Sequence, residues 1–210
     1  MMEANKEIAK QLLAIQAVSL KPNDPFTWAS GIQAPIYCDN RLTLSHPKLR
    51  TFIADQFNEL IGAKFPEADV VAGTATAGIP HAALVAERLE LPMIYVRGKA
   101  KAHGKGNQIE GQLLAGQKVV IVEDLVSTGG SSLQAAKVVA DAGGKVLGIV
   151  AIFSYGLDAA INNMESENVP LYTLTDFQTL LDVSQSEGTL SKREYEKLVR
   201  WQLAPSDWQT

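Results

Sequence analysis

The sequence predicts an α/β fold: a mostly parallel sheet flanked by helices, with a small N-terminal lobe ahead of it. Three observations carry this. Strand-length runs such as Val119-Val120-Ile121-Val122 are apolar throughout instead of alternating, and strands of that kind are buried on both faces. Segments with helical spacing separate the runs, which makes the connections parallel crossovers. The chain has 210 residues, 46% of them apolar and 20% charged, which suits one large domain that buries about 70% of its unfolded surface. The alternation starts after residue 45 and fades near 175. Residues 1–45 are therefore read as an N-terminal hood within the same domain, 46–175 as the α/β core, and 176–210 as a C-terminal helical segment.

The elements follow in order. Ile8, Leu12 and Ile15 stand at helical spacing within 3–18. Residues 20–44 are irregular, holding Pro22, Pro25, Gly31 and Pro35. Ser45 is placed to cap a helix reaching about residue 61, whose buried face is Leu49, Phe52, Ile53, Phe57 and Leu60. A short buried strand covers 69–73, a polar turn 74–78, and a helix carrying Ala82, Leu84, Val85, Ala86 and Leu89 comes next. Strands follow at 93–97 and 119–123; then come a glycine-rich turn and a helix over 131–142 that Gly143-Gly144 end. The last strands are 145–153 and 171–174. Thr175 or Asp176 opens a helical tail, and Ser191-Lys192-Arg193-Glu194 has capping-box spacing.

Composition sets limits on function. Cys38 is the single cysteine, so an internal disulfide and a cysteine-rich zinc site are out. The net charge of −4 argues against a nucleic-acid-coating protein, which needs a basic face. No apolar run approaches the roughly 18 residues of a membrane span. The first seven residues are polar and unlike a secretory signal. A soluble cytoplasmic protein, with no nucleic-acid or membrane partner, is the expectation.

The strongest local signal is Val119-Val120-Ile121-Val122-Glu123-Asp124-Leu125-Val126-Ser127-Thr128-Gly129-Gly130-Ser131. An apolar strand runs into two adjacent carboxylates, and a turn with hydroxyls and glycines leads into a helix. The turn has the parts of an anion site: glycines that admit close approach, hydroxyl donors, and helix amides without internal partners. The acids would repel a phosphate but accept hydrogen bonds from hydroxyls. A ribose 5-phosphate satisfies both halves. A Walker loop is excluded because no Gly-Lys-Ser/Thr closes the turn, and G-x-G-x-x-G spacing is absent.

Residues 97–111 hold Arg97, Lys99, Lys101, His103 and Lys105 among glycines. That composition suits neither a stable helix nor a buried strand. It reads as a loop leaving the active end of the sheet, a lid whose cations face a polyanion. His46 and His81 lack metal-ligand spacing, and Trp28, Trp201 and Trp208 read as packing or interface residues and not a cofactor box. No protein metal-ligand set is expected.

Residues 123–131 resemble the 5-phosphoribosyl 1-diphosphate (PRPP) signature of the type I phosphoribosyltransferases. Arg97-x-x-x-Lys101-x-His103-Gly104 is similar to the catalytic loop of the orotate phosphoribosyltransferases among them. Phe26-Thr27-Trp28-Ala29-Ser30-Gly31-Ile32-Gln33-Ala34-Pro35-Ile36-Tyr37-Cys38-Asp39 resembles the region that covers the pyrimidine in that family, and Gly73-Thr74-Ala75-Thr76-Ala77-Gly78-Ile79-Pro80 its diphosphate loop. The likeness spans about residues 1–175 in matching order.

The resemblance implies transfer of the 5-phosphoribosyl group from PRPP to orotate, giving orotidine 5-monophosphate and diphosphate in pyrimidine (UMP) synthesis. It implies Mg²⁺ and a homodimer whose loop covers the neighbouring subunit's site. Carried onto this chain, Arg97, Lys101, His103, Glu123, Asp124, Leu125, Val126, Ser127, Thr128, Gly129, Gly130 and Ser131 bind PRPP. Lys101 and His103 are catalytic. Ser127, Tyr37 and Cys38 meet orotate, Tyr37 being either a ring that stacks on the base or an ordinary edge aromatic. The chain departs from the family's cationic positions at Ala29, Ala77, Gly98 and Tyr155, which puts more weight on Arg97, Lys101, His103 and backbone donors. A purine-type phosphoribosyltransferase and a PRPP-sensing regulator are the competing readings.

Overall fold

A computed structural model of the chain describes residues 2–27, 33–98 and 108–205. The described chain opens with α1 (Met2–Ala14) and the short strands β1 (Val18–Leu20), β2 (Phe26–Thr27), β3 (Gln33–Ala34) and β4 (Ile36–Cys38), then a 3-10 helix (Asn40–Ser45) and α2 (Pro47–Lys64). The alternating region follows as β5 (Val70–Thr74), α3 (Gly78–Leu89), β6 (Met93–Val96), β7 (Ile109–Glu110), β8 (Lys118–Val126), α4 (Gly130–Asp141), β9 (Lys145–Ser154), α5 (Asp158–Ser166) and β10 (Leu171–Asp176). Helices α6 (Phe177–Ser186) and α7 (Lys192–Leu203) close it.

The apolar runs form one six-stranded sheet of order β10-β9-β8-β5-β6-β7. Every neighbouring pair is parallel except β6 and β7. Burial on both faces explains the unbroken apolar runs. Along β8, Val120 and Val122 join one buried cluster while Val119 and Ile121 join the other. The first cluster takes Ile8 and Leu12 of α1, Ile53 and Phe57 of α2, and Phe177, Leu198 and Trp201 from α6 and α7. The second takes Ala135 and Val139 of α4 and Met164 of α5. Each fully buried side chain of this size contributes about 1.5–3 kcal/mol.

Several local expectations shift. Ser45 does not cap α2: it ends the 3-10 helix, and His46 flanks α2 without a side-chain cap bond. Pro47 sets the start, since its missing N–H is harmless at the first helical position and it forces the preceding residue out of the helical region. Leu49, Ile53, Phe57 and Leu60 are buried as expected, while Phe52 is half-buried. Strand β8 runs through both acids to Val126, because β9 keeps pairing with it as far as Val126↔Ser154. Ile109–Glu110 is a strand and not loop: Ile109 is buried and pairs antiparallel with Val96. Helix α5 has too few apolar positions to announce itself, burying only Ala160 and Met164. The tail behaves as its caps foretell. Asp176 accepts from the Thr179 amide at 2.8 Å, and both halves of the Ser191–Glu194 capping box are present. No described helix is long and apolar enough to cross a membrane.

Candidate active site

Strands β5, β6 and β8 are parallel and end at one edge of the sheet, the edge where α/β folds bind ligands. A cleft of about 370 Å³ opens there. The turn 75–77, Arg97 and Gly98, residues 123–125, and Ser131 and Gln134 line it. Gly78 lets the turn close on the neighbouring strand: a Cβ at that position would collide with Thr74 Oγ1 and the Val122 carbonyl. A larger hollow of about 620 Å³ lies between α5 and the start of β10. Its lining is mostly apolar, with Glu165 its one charged group, so size alone does not locate the chemistry.

Glu123 and Asp124 sit on β8 itself, one residue beyond the last pairing with β5 at Gly73↔Val122. Glu123 is buried. Its Oε2 accepts from Ser132 Oγ at 3.2 Å and its Oε1 from the Asp124 amide at 3.1 Å. Burial raises both carboxyls above the usual carboxylate range, and their mutual repulsion adds to the rise at Glu123. An acid pair held this way gains from any hydroxyl that donates to it.

Beyond Val126 the chain turns into α4. Gly129 takes φ +81°, the left-handed region that favours glycine, and its added Cβ would lie 2.7 Å from Met164 Cε. The first helical bond runs from the Leu133 amide to the Gly129 carbonyl at 2.9 Å. The amides of Gly130, Ser131 and Ser132 therefore have no helical acceptor and are free for an anion. Asn163 of α5 donates to the Thr128 carbonyl at 2.9 Å and steadies the turn from below. Val126 is buried and can offer only its main chain.

Arg97 stands on the rim. Its amide donates to the Gln108 carbonyl at 2.8 Å, Gln108 Nε2 returns a bond to the Arg97 carbonyl at 3.1 Å, and its guanidinium pairs with Glu110 at 3.5 Å. These contacts clasp the two ends of the lysine-rich stretch. Lys101 and His103 lie outside the described residues, as do Trp28, Ala29 and Trp208.

Tyr37 and Cys38 belong to β4, which pairs with β1. Tyr37 is 45% exposed and packs beside Phe26, ring centroids 5.6 Å apart. Cys38 is buried, and burial pushes its thiol well up, so it is a poor nucleophile. Asn40 ties this segment to the acids, donating from Nδ2 to the Asp124 carbonyl at 2.6 Å. Sequence reasoning missed Asn40, Asn163 and Met164; their partners lie 84 and 35 positions away in the first two cases. The only local hint was a polar Asp-Asn-Arg run straight after a strand. Tyr155 is buried between Phe153 and Trp201 as a packing residue, at centroid distances of 5.4 and 5.9 Å.

The likenesses to known proteins agree with this geometry. Residues 44–182 match the phosphoribosyl transferase domain family. The orotate phosphoribosyltransferase of Halalkalibacterium halodurans is 58% identical over 199 residues, covering 95% of each chain. The crystal structure of orotate phosphoribosyltransferase from Aeropyrum pernix has a TM-score of 0.76 at 29% identity, covering 88% of this chain and 99% of that one. That of the Mycobacterium tuberculosis orotate phosphoribosyltransferase in complex with PRPP has a TM-score of 0.65 at 25% identity, covering 84% and 98%. Sheet order, the acid pair running into an anion-binding helix, and near full-length identity converge, and the chain belongs to the orotate phosphoribosyltransferases of the phosphoribosyl transferase domain family.

Proposed function

We propose that this chain transfers the 5-phosphoribosyl group of PRPP to orotate, releasing diphosphate and forming orotidine 5-monophosphate for pyrimidine synthesis. One observation carries the reading: two carboxylates near the end of β8 line the cleft, and the free amides of α4 begin six residues beyond Asp124. A ribose diol and a 5-phosphate are spaced to meet those two features. Glu123 and Asp124 accept from the hydroxyls. The stretch from Leu125 to Ser131 takes the phosphate on its amides and hydroxyls. Arg97, Lys101 and His103 face the diphosphate. Ser127 meets orotate with the main chain around Cys38, and the exposed Tyr37 ring stacks on the base.

Cleavage at C1 leaves an electron-poor sugar and a highly charged leaving group. The protein need not supply a nucleophile. It aligns orotate N1 with C1 and places donors on the departing oxygens. Lys101 is the chief such donor, and His103 donates a hydrogen bond or a proton to the leaving diphosphate. Mg²⁺ fits this donor set: it is a hard ion that prefers oxygen and is held largely by substrate phosphates and water. Glu123 and Asp124 would contact it through water, and when bound it neutralises diphosphate charge. We further assign the chain to the cytoplasm as a homodimer in which each subunit's 97–111 stretch serves the neighbour's site.

The test is a spectrophotometric assay with PRPP and orotate against hypoxanthine, guanine, adenine and xanthine, with Mg²⁺ and after chelation. Turnover of orotate alone, abolished by chelation, is expected. Turnover of a purine and none of orotate would replace the assignment. Mixing a loop variant with an Asp124 variant should restore activity if sites are shared; no recovery counts against sharing.

A further inference from the structure

Asn40 is fully buried, although it stands in a short 3-10 helix near the surface. Its side-chain amide is engaged at both ends, by groups outside its own helix. Its Nδ2 donates to the Asp124 carbonyl at 2.6 Å, and its Oδ1 accepts from the Cys38 thiol at 3.3 Å. Its own carbonyl accepts from the Thr43 hydroxyl at 2.6 Å. Thr43 Oγ1 in turn lies 3.4 Å from His81 Nε2. The Thr43 proton is spent on Asn40, so His81 donates in that contact and carries its proton on Nε2. Burial pulls the imidazole down to about 4, which keeps it neutral.

The Asp124 carbonyl needs this amide for a topological reason. Main-chain groups two residues apart on a strand face the same neighbour. The Val122 carbonyl is taken by Thr74 Oγ1 at 3.2 Å, on the side of β5. The Asp124 carbonyl faces that side too, but β5 pairs with β8 no further than Val122. Asn40 supplies the donor that the missing strand would have given. The same side chain holds Cys38, next to Tyr37. One amide thus spans from the segment assigned to the base to the segment assigned to the ribose.

We propose that Asn40 is a positioning residue that fixes the separation between the Tyr37–Cys38 strand and the Asp124 strand, and so the alignment of orotate with the sugar carbon it attacks. This rests on the functional reading above. Each substrate keeps its own contacts when Asn40 changes, but the two half-sites lose their common reference. A misplacement of about 1 Å costs on the order of 100-fold in rate.

Asn40→Leu keeps the volume and removes the amide; Asn40→Ser is the smaller, polar alternative. Circular dichroism and thermal unfolding establish the folded fraction, and turnover is expressed per folded molecule. The expected result is a kcat lowered about 10- to 100-fold, with KM for PRPP and for orotate each within about threefold of the parent. A kcat within about threefold of the parent overturns the proposal, as do two KM values that rise together at unchanged kcat. A loss confined to the folded fraction also overturns it, because that is the signature of packing alone. If Asn40→Leu does not fold, Asn40→Ser decides by the same criteria. The parent's base preference is read first. A parent that turns over a purine refutes the functional reading, and Asn40 is then tested by the same split with that purine.

Discussion

Gly129→Ala probes the turn between the acids and α4. Gly129 sits at φ +81°, and a Cβ there would approach Met164 Cε to 2.7 Å. Left-handed backbone costs a residue with a Cβ about 1–2 kcal/mol. The contact lies roughly 1 Å inside the ordinary carbon separation. Met164 is buried at 5% exposure but flexible, so it yields at about 1–2 kcal/mol, the lower part of the overpacking range. The two contributions give a loss of about 2–4 kcal/mol. For a chain of this length, 1 kcal/mol moves Tm by about 2–4 °C, so Tm falls by roughly 4–16 °C. Thermal unfolding by circular dichroism reads this directly, and the KM for PRPP should rise because the displaced turn carries the proposed phosphate amides. Introducing Met164→Ala in a double-mutant cycle separates the two causes. The penalty of Gly129→Ala should shrink by about 1–2 kcal/mol in that background, leaving the backbone strain. A Tm within about 2 °C of the parent, with unchanged PRPP binding, would refute both the conformational and the packing argument.

Lys101→Ala should raise the barrier by about 2.7–4 kcal/mol with only a modest loss of PRPP affinity; unchanged turnover in single-turnover kinetics removes Lys101 from the mechanism. Burial holds the Glu123 and Asp124 carboxyls above the usual range, so the native chain keeps protons that the unfolded chain has released. Stability of the unliganded protein should therefore fall as pH rises from the usual carboxylate range through the raised native value. A diol needs ionised acceptors, so PRPP should bind more tightly over the same rise and expel a proton; Glu123→Gln should reduce that slope to the part owed to Asp124 and the ligand's own phosphates, as titration calorimetry in two buffers would show. Ser191→Ala removes half of the α7 capping box and should cost about 1 kcal/mol in chemical denaturation, with no change in turnover. An unchanged denaturation midpoint would show that α7 does not depend on its cap.

What could be read from the chain alone was local. Val119 to Val122 declared a doubly buried strand because no polar residue interrupts it, and Gly129 declared a turn because few other residues tolerate its φ. Ser191 and Glu194 declared a helix start because both partners lie within four residues. The likeness of residues 123–131 to a phosphoribosyl signature needed no coordinates either.

Contacts across long separations were decided by the sheet. Asn40 meets Asp124 because β5 stops short and leaves a carbonyl facing the 3-10 helix. Met164 lies under Gly129, and Asn163 holds Thr128, because α5 packs beside α4 on the same face. β7 exists because Val96 offers an open edge to Ile109. Hydrogen-bond partners far apart in the chain depend on strand order and on where each strand ends. Neither quantity is encoded in a window of neighbouring residues, so periodicity and composition locate the elements while only their packing brings the acids and the start of α4 to one cleft and sets Asn40 against Asp124.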